Sequence, residues 1–341
     1  MRIGLLFDYP QGDGGDGLER AVRLGLEATG ADLSGVTFLR SETLGHPAGR
    51  VEDVVAGFEA LVADGVDLVI GPSISDNCLG ARDAADRARV PAINYSGGER
   101  TRSEWMFHYQ VGSLEEEPPL LVARMREREM QSCVVIHDAS VVGERYREVF
   151  GWSATDAEIE ICESAAIDPL ATDVGALIAT MRVHEPDVVI YLGLGASSHS
   201  VATAIIGAGW DIPVLANSAL IFGYIKPEWH DAWAKWEYID TIADDNTLRR
   251  ALGVLDPRSA ASPMGCCAYD LGRLVGTAMH RSERSDPEGL REGLERVKQL
   301  PATSGYEGTL MGFGIQDRGA LKGQFLVLRA WRGGRTVQVD R

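Results

Sequence analysis

Two stretches of the chain share one pattern, and this shared pattern limits the possible folds more than any other feature of the sequence. They are residues 67–98 and residues 187–219. In each, a short uninterrupted apolar run leads through small and hydroxyl residues into an Ala-rich helical segment, and a second apolar run follows Pro91 or Pro213. Strands that are apolar on both faces and joined by a helix are typical of a parallel sheet covered on both sides. The sequence therefore predicts an α/β fold with two Rossmann-like lobes.

Both stretches place Gly, Ser and Asn where a strand ends, and open parallel sheets bind their ligands at that edge. A chain of 341 residues also exceeds the usual size of one compact core, which again favours two lobes. We predict that the chain crosses between the lobes three times. The first lobe then consists of residues 1–113 and 242–310, and the second of residues 114–241 and 311–341.

Composition argues against several classes of protein. The formal net charge of −17 and the pI of about 4.9 disfavour nucleic-acid binding, which depends on clustered Lys and Arg. No apolar run approaches the ~20 residues that span a bilayer, so we predict no membrane insertion. The five cysteines are odd in number and lack metal-ligand spacing, and we interpret them as small buried thiols.

The first residues bear on localisation. Residues 1–8 lead directly into a strand pattern, with no basic and apolar leader before it. As the sequence stands, this predicts a cytoplasmic protein. If a signal peptide has been removed, the expected location is periplasmic or otherwise extracytoplasmic.

A glycine-rich loop follows the first strand. Gly12, Gly14 and Gly17 have the spacing of a dinucleotide-binding fingerprint. Asp13 and Asp16, however, would place two negative charges where a pyrophosphate must lie. Because this repulsion outweighs the glycine match, we predict no nucleotide cofactor here.

Catalytic patterns are weak. Ser197, Ser198 and His199 offer nucleophile and base, but the segment GASSHS lacks the Gly-x-Ser-x-Gly turn, and the spacing supplies no third group. The seven histidines include no pair at metal-binding spacing. We therefore predict a protein that is not an enzyme and that needs no metal or cofactor.

Several longer motifs occur in a fixed order along nearly the whole chain. They are VDLVIGPSIS with VPAINYSGG, CVVIHDASVVGERYREVF, PDVVIYLGLGASS with DIPVLANS, AYDLGRLVGTA, and the terminal YEGTLMGFGIQDRGALKGQFLVLRAW. Their order and spacing resemble the type I periplasmic binding proteins, in particular the branched-chain amino-acid (Leu/Ile/Val) binding family of ABC transporters. The resemblance implies a ligand cleft between two lobes, three crossing strands, and a hinge that closes on the ligand.

In the first lobe, the resemblance assigns ligand contacts to Ser75 and to residues 96–98. Hydroxyl and backbone N–H groups there would donate to a carboxylate or carbonyl of the ligand, aided by the positive end of the helix predicted over 76–88. Ser75 could instead, or in addition, serve as the N-cap of that helix.

In the second lobe, the sequence departs from the family. Val142 and either Leu194 or Gly195 occupy the positions of two family tyrosines, and Ser218 occupies that of the acid that pairs the ligand's ammonium. An ammonium buried without a counter-charge would cost several kcal/mol, so a free amino acid is disfavoured. The expected ligand is small and largely apolar, with a carboxylate or amide head. The predicted site comprises Ser75, Asn77, Tyr95, Ser96, Gly97, Gly98, Val142, Leu194, Gly195, Ser218 and Phe222, with Tyr224 as a further candidate.

Two functions follow from this interpretation. The first is the substrate-binding protein of an ABC-type importer, with an ABC permease as its implied partner. The second is a cytoplasmic ligand sensor on the same fold, which the missing leader and the unpaired cysteines favour. A different acid could still supply the missing charge, and Asp8, Asp13 and Asp16 are near enough to the predicted rim in sequence to be candidates.

Overall fold

The computed structural model describes residues 1–9 and 15–339, without the side chain of Phe222. The chain forms two compact units: unit 1 is Met1–Val111 with Thr241–Phe325, and unit 2 is Gly112–Asp240 with Leu326–Arg341. The two-lobed α/β fold expected from the sequence is confirmed. The first two boundaries fall within two residues of the predicted crossings, whereas the third lies after Phe325 and not after residue 310.

Unit 1 is built on a five-stranded sheet in which all the strands run parallel, in the order β2-β1-β3-β4-β5. The short strands β3 and β4 are buried along their whole length, as expected of a parallel sheet covered on both faces. The strands are Arg2–Phe7 (β1), Thr37–Glu42 (β2), Leu68–Ile70 (β3), Ala92–Asn94 (β4) and Met106–His108 (β5).

Glycine brings the first and the longest helix of unit 1 into close contact. A Cβ atom on Gly272 would collide with the backbone of Val22, and one on Gly25 would collide with that of Tyr269, so the two helices approach at these positions. The helices of unit 1 are Asp16–Glu27 (α1), Val51–Ala63 (α2), Ser75–Ala88 (α3), Thr247–Leu255 (α8), Pro257–Ala260 (α9), Pro263–Arg281 (α10) and Pro287–Glu295 (α11), with a 3₁₀ turn at Glu99–Thr101.

The segment before Phe325 belongs to unit 1 because it pairs with that unit. The strands Leu300–Pro301 (β11), Leu310–Met311 (β12) and Leu321–Lys322 (β13) form a small antiparallel sheet. The Ala320 N–H donates to the carbonyl of His108 at 2.8 Å, which ties the segment to β5. Strands of two residues leave no periodic pattern in the sequence, and this explains the misplaced third crossing.

Unit 2 contains a seven-stranded sheet in the order β15-β14-β10-β9-β8-β6-β7. Five neighbouring strands of this sheet, from β10 to β7, run parallel to one another. The C-terminal hairpin β14–β15 pairs antiparallel with β10. The strands are Ser132–Asp138 (β6), Glu160–Ile167 (β7), Val188–Leu192 (β8), Val214–Ala216 (β9), Trp236–Asp240 (β10), Val327–Arg332 (β14) and Arg335–Gln338 (β15).

The core of unit 2 is rich in aromatic side chains. Trp233 and Trp236 are buried within it together with Trp331, and Trp229 packs against it from the side. The closely spaced tryptophans of residues 229–236 therefore serve packing. The helices of unit 2 are Glu117–Glu127 (α4), Val141–Asp156 (α5), Gly175–Arg182 (α6) and Ser198–Gly207 (α7), with 3₁₀ segments at Ser218–Tyr224 and Pro227–Trp233.

The structure bears on two features considered from composition, namely membrane-spanning helices and the cysteines. Among the helices of the described residues, none is long and apolar enough to cross a membrane. Four of the five cysteines are buried, and Cys162 is partly buried. Burial raises the pKa of the Cys78 and Cys267 thiols well above their ordinary value, so these groups stay protonated.

Candidate functional site

A buried carboxylate organises the carboxyl edge of the unit 1 sheet. Asp8 follows β1 directly and is almost completely buried. Its two oxygens accept hydrogen bonds from the Ser73 N–H (2.9 Å), the Ser73 hydroxyl (2.7 Å), the Ile74 N–H (2.9 Å) and the Asn77 side-chain amide (2.9 Å). Asn77 is also bonded to the backbone of His46. Asp8 and Asn77 therefore hold the loop before α3 in place and are not free to contact a ligand.

Ser75 lies at the end of this loop. Unlike Ser73 and Asn77, it does not bond to Asp8 through its side chain. It is the first residue of α3, whose N-cap position is Ile74, and no side chain caps the helix. Among the residues that the structure describes, the Ser75 hydroxyl makes no hydrogen bond, although the residue is only 6% exposed. The capping role considered from the sequence is not realised. A hydroxyl without an internal partner at the start of a helix is available for a ligand.

The loop after β4 lies beside Ser75. A Cβ atom on Gly98 would lie 3.1 Å from the Ser75 hydroxyl oxygen, so the two residues are in contact. The Ser96 hydroxyl donates to the side chain of Asn94 at 2.9 Å, and the Tyr95 N–H donates to the carbonyl of Pro72 at 3.1 Å. Tyr95 is itself buried, and burial raises the pKa of its phenol well above the ordinary value. Gly97 lies between these residues and is partly exposed.

In unit 2, the loops after β6, β8 and β9 meet at one edge of the sheet. Asp138 ends β6 and accepts a hydrogen bond from the Leu194 N–H at 2.6 Å. The Asn217 side chain accepts from the N–H of Gly193 at 3.2 Å and donates to its carbonyl at 3.0 Å. These bonds hold the predicted contact residue Leu194 next to the end of β9. Gly195, with φ of 97°, accepts the Ser198 hydroxyl at the start of α7.

The other predicted contacts of unit 2 lie on neighbouring elements. Val142 occupies the first turn of α5, which is capped by Ser140, and is buried. The Tyr224 hydroxyl donates to Asp240 at 2.7 Å, so its polar end is already engaged. The side chain of Phe222 lies outside the described part of the chain.

Glu117, which the sequence did not point to, accepts four hydrogen bonds beside Ser218. The donors are the Ser218 N–H (2.7 Å), the Ser218 hydroxyl (3.0 Å), the Ser113 N–H (2.6 Å) and the Tyr146 hydroxyl (3.2 Å). Glu117 is fully buried, and burial raises the pKa of its carboxyl to about 7. The carboxyl group of Glu117, from α4, thus lies against Ser218, the residue aligned with the acid that pairs the ligand's ammonium in the family.

Two of the three acids considered earlier, Asp8 and Asp16, are engaged elsewhere in unit 1. Asp8 is engaged with its own loop, as described above. Asp16 is exposed and forms an ion pair with Arg40 at 2.8 Å. Asp13 lies outside the described residues, as do Gly12 and Gly14 of the glycine-rich loop.

The residues with catalytic potential form no catalytic arrangement. The Ser197 hydroxyl is hydrogen-bonded to Tyr191 at 2.8 Å, the Ser198 hydroxyl donates to a backbone carbonyl, and the His199 ring stacks on Trp229. No three His, Cys, Asp or Glu side chains in the described ranges are grouped to hold a metal ion.

The sequence matches the model of the family described as periplasmic binding protein over residues 2–318. The chain belongs to this family. The resemblance inferred from the motifs is therefore confirmed. Members of the family bind small molecules and work with ABC permeases, so the protein is a solute-binding protein and not an enzyme.

Solved structures of similar fold include other binding proteins. The leucine-binding protein LivK of Thermotoga maritima is 13% identical, with a TM-score of 0.83 over 100% of this chain and 98% of that one. LivJ of Streptococcus pneumoniae, in complex with isoleucine, is 16% identical, with a TM-score of 0.82 over 99% of both chains. A substrate-binding protein of Desulfitobacterium hafniense, in complex with leucine, is 16% identical, with a TM-score of 0.79 over 99% of both chains. A search of curated protein sequences found no significant match.

Proposed function

We propose that this binding protein is the substrate-binding component of an ABC-type importer. Its ligand is small and largely apolar, and the head group carries both an acceptor oxygen and an N–H donor, as a primary amide does. The ligand contacts the Ser75 region of unit 1 and the Ser218 region of unit 2, and its binding favours a closed form of the protein because more contacts are made there.

One observation supports this head group above all others. The N–H and the hydroxyl of Ser218 both donate to Glu117. While Glu117 is ionised, the hydroxyl oxygen of Ser218 can only accept a hydrogen bond from a ligand. Ser75 offers the opposite chemistry, since its hydroxyl is free to donate and lies at the positive end of α3.

An ammonium carboxylate is the second candidate head group. Ser218 by itself could not balance a ligand's ammonium, but the carboxyl of Glu117 lies 3.0 Å from its hydroxyl. Opposite charge nearby would lower the pKa of Glu117 and keep the carboxylate ionised. A free amino acid is therefore compatible with this site, whereas an apolar carboxylic acid without an N–H is disfavoured. Val142 and Leu194 supply the apolar surface for the ligand's body in both cases.

The alternative to an importer component is a cytoplasmic ligand sensor. The two roles differ in location, because import requires a binding protein outside the cytoplasm. Fractionation of cells that produce the protein from its own gene distinguishes the two, because a sensor stays with the cytoplasmic fraction. Recovery only from the cytoplasm would exclude the importer role. It would not affect the ligand class, which is tested separately by thermal shift.

The ligand class is tested by thermal shift with three compounds that share one body: 4-methylpentanamide, leucine and 4-methylpentanoic acid. A ligand at roughly 100 times its dissociation constant stabilises the folded state by about 2.7 kcal/mol, which is readily visible. We expect stabilisation by the amide or by leucine and none by the acid. Equal stabilisation by the acid would contradict the role given to Ser218 and Glu117.

Replacement of Ser75 by alanine should weaken binding of the stabilising compound roughly tenfold, the loss expected for one buried hydrogen bond. The melting temperature should stay unchanged, because the hydroxyl has no internal partner. Isothermal titration calorimetry measures the affinity. Ser153→Ala is the matched control, since its hydroxyl bonds only to its own helix in unit 2. Unchanged affinity in Ser75→Ala would remove Ser75 from the site.

A further inference from the structure

Unit 1 contains a second feature that the proposed function does not use. A pocket of about 380 Å³ is lined by three arginines and one acidic residue, together with Ser103, Ile315 and Gln316; the charged residues are Arg102, Arg291, Arg318 and Glu104. This is notable in a chain whose formal net charge is −17. Clustered arginines in a concave site are the chemistry that recognises carboxylates and phosphates.

Two of the three arginines are engaged by the protein itself. Arg318 donates to the carbonyls of Ser103 (3.2 Å) and Glu104 (3.0 Å) and to the carboxylate of Glu295 (2.7 Å). Arg291 donates to Glu295 and, at 2.7 Å, to Glu288. These two side chains are therefore held in place, and their charges are largely balanced by the two glutamates.

Arg102 is different because no group in the described part of the chain accepts a hydrogen bond from its terminal nitrogens. Its Nε–H donates to Nδ1 of His108 at 3.1 Å. Glu99 lies 3.9 Å from its outer nitrogens, which is too long for a hydrogen bond, and the guanidinium also interacts electrostatically with the carboxyl of Asp317. The guanidinium lies against the backbone of Gly319, where a Cβ atom would be 2.7 Å from one of its nitrogens. Arg102 thus presents a planar pair of donors on a supported group.

The same arginine is linked to the predicted ligand loop. His108 is completely buried, and burial together with the charge of Arg102 lowers the pKa of its imidazole to about 3. The neutral ring accepts from Arg102 at Nδ1, so its proton is on Nε2, which donates to the carbonyl of Ser96 at 2.8 Å. Two hydrogen bonds therefore connect the pocket to Ser96.

We propose that this pocket binds a small oxyanion, a carboxylate or a phosphate group, through the two terminal nitrogens of Arg102, and that its occupancy is transmitted through His108 to Ser96. The binding step is independent of the proposed function, and only the effect on ligand affinity rests on it. A bidentate anion would draw the guanidinium into the pocket and change the bond to His108. Coupling of this kind is reciprocal, so a ligand that orders Ser96 would alter the affinity for the anion by the same factor.

The test uses inorganic phosphate and acetate as probes, with potassium chloride at equal ionic strength as the reference. Thermal shift and calorimetric titration are run on the wild type, on Arg102→Gln, on Arg102→Lys and on Arg100→Gln. Arg100 is exposed, so its variant has the same charge change outside the pocket. Histidine-selective ¹⁵N labelling follows the Nε2–H signal of His108 during the titration and requires no cleft ligand.

We expect phosphate or acetate to stabilise the wild type and Arg100→Gln beyond the chloride reference, and to move the His108 signal. In Arg102→Gln the dissociation constant should rise roughly tenfold or more, and Arg102→Lys should bind weakly because it keeps the charge but loses the planar pair of donors. A response to only one of the two anions identifies the class of the natural ligand. An equal response of wild type and Arg102→Gln, or no response beyond chloride, would overturn the site. Binding without movement of the His108 signal would overturn the coupling.

Discussion

Replacement of Asp8 by alanine is expected to lower the free energy of unfolding by about 3–5 kcal/mol, because several buried donors lose their acceptor at a cost of about 1–3 kcal/mol each. The Asp8 carboxylate accepts three hydrogen bonds from the loop before α3, two of them from backbone N–H groups, and a fourth from the Asn77 side chain in the first turn of α3. Without it, these buried donors would be left without acceptors. The loop would lose the conformation that presents Ser75.

Chemical denaturation measures the loss of stability, and titration with the stabilising ligand measures the loss of binding. Asp16→Ala is the control, because Asp16 has a 74% exposed side chain and an ion pair of that kind contributes about 1 kcal/mol or less. If Asp8→Ala and Asp16→Ala have similar stability, Asp8 does not hold the rim of unit 1.

The second large effect concerns pH and Glu117. Burial raises the pKa of this carboxyl to about 7 from an ordinary value of 4.5. Ionisation therefore costs more in the folded state than in the unfolded state. The protein should be most stable with respect to this group below about pH 4.5, should lose stability as the pH rises to about 7, and should change little above that. At 1.36 kcal/mol per pKa unit, the loss amounts to about 3 kcal/mol.

Denaturation curves recorded between pH 5 and pH 8 test this expectation. Glu117→Gln should flatten that part of the pH dependence, because the amide cannot ionise. Glu127→Gln makes the same change at the other end of α4, where the side chain is half exposed and pairs with Arg124, and it should leave the pH dependence in place. The same slope in wild type and Glu117→Gln would show that Glu117 does not ionise in this range.

These two carboxyl groups have related structural roles. Asp8 in unit 1 and Glu117 in unit 2 each accept backbone N–H groups from a loop at the carboxyl edge of the sheet. The two carboxyl groups differ in which serine groups they leave free, and this decides which ligand groups each sheet edge, or rim, can bind. Asp8 leaves the hydroxyl of Ser75 free, whereas Glu117 engages both donors of Ser218. One rim is thereby left with donors and the other with acceptors.

The site could be predicted only in part. Ser75 and the residues 96–98 follow neighbouring parallel strands, and strand ends of a parallel sheet meet at one edge, so their proximity could be expected from the pattern. Ser75 and Gly98 are indeed in contact. Asn77 was assigned to the ligand, but its side chain is fully engaged by Asp8 and His46. Nothing in the local sequence shows whether a polar residue at the start of a helix contacts the ligand or bonds to the protein itself.

What the sequence determined by itself is the architecture. Uninterrupted apolar strands, Ala-rich helices and their alternation depend on neighbours a few residues apart, and they were enough to predict two parallel α/β units. The family followed from the resemblance of the ordered motifs. What only the tertiary structure decided is the chemistry of the rims. Glu117 meets Ser218 across 101 positions of the chain, and Asp8 meets Asn77 across 69. Hydrogen bonds of such range leave no periodic trace in a sequence, because they depend on how separate loops are brought to the same edge of a sheet.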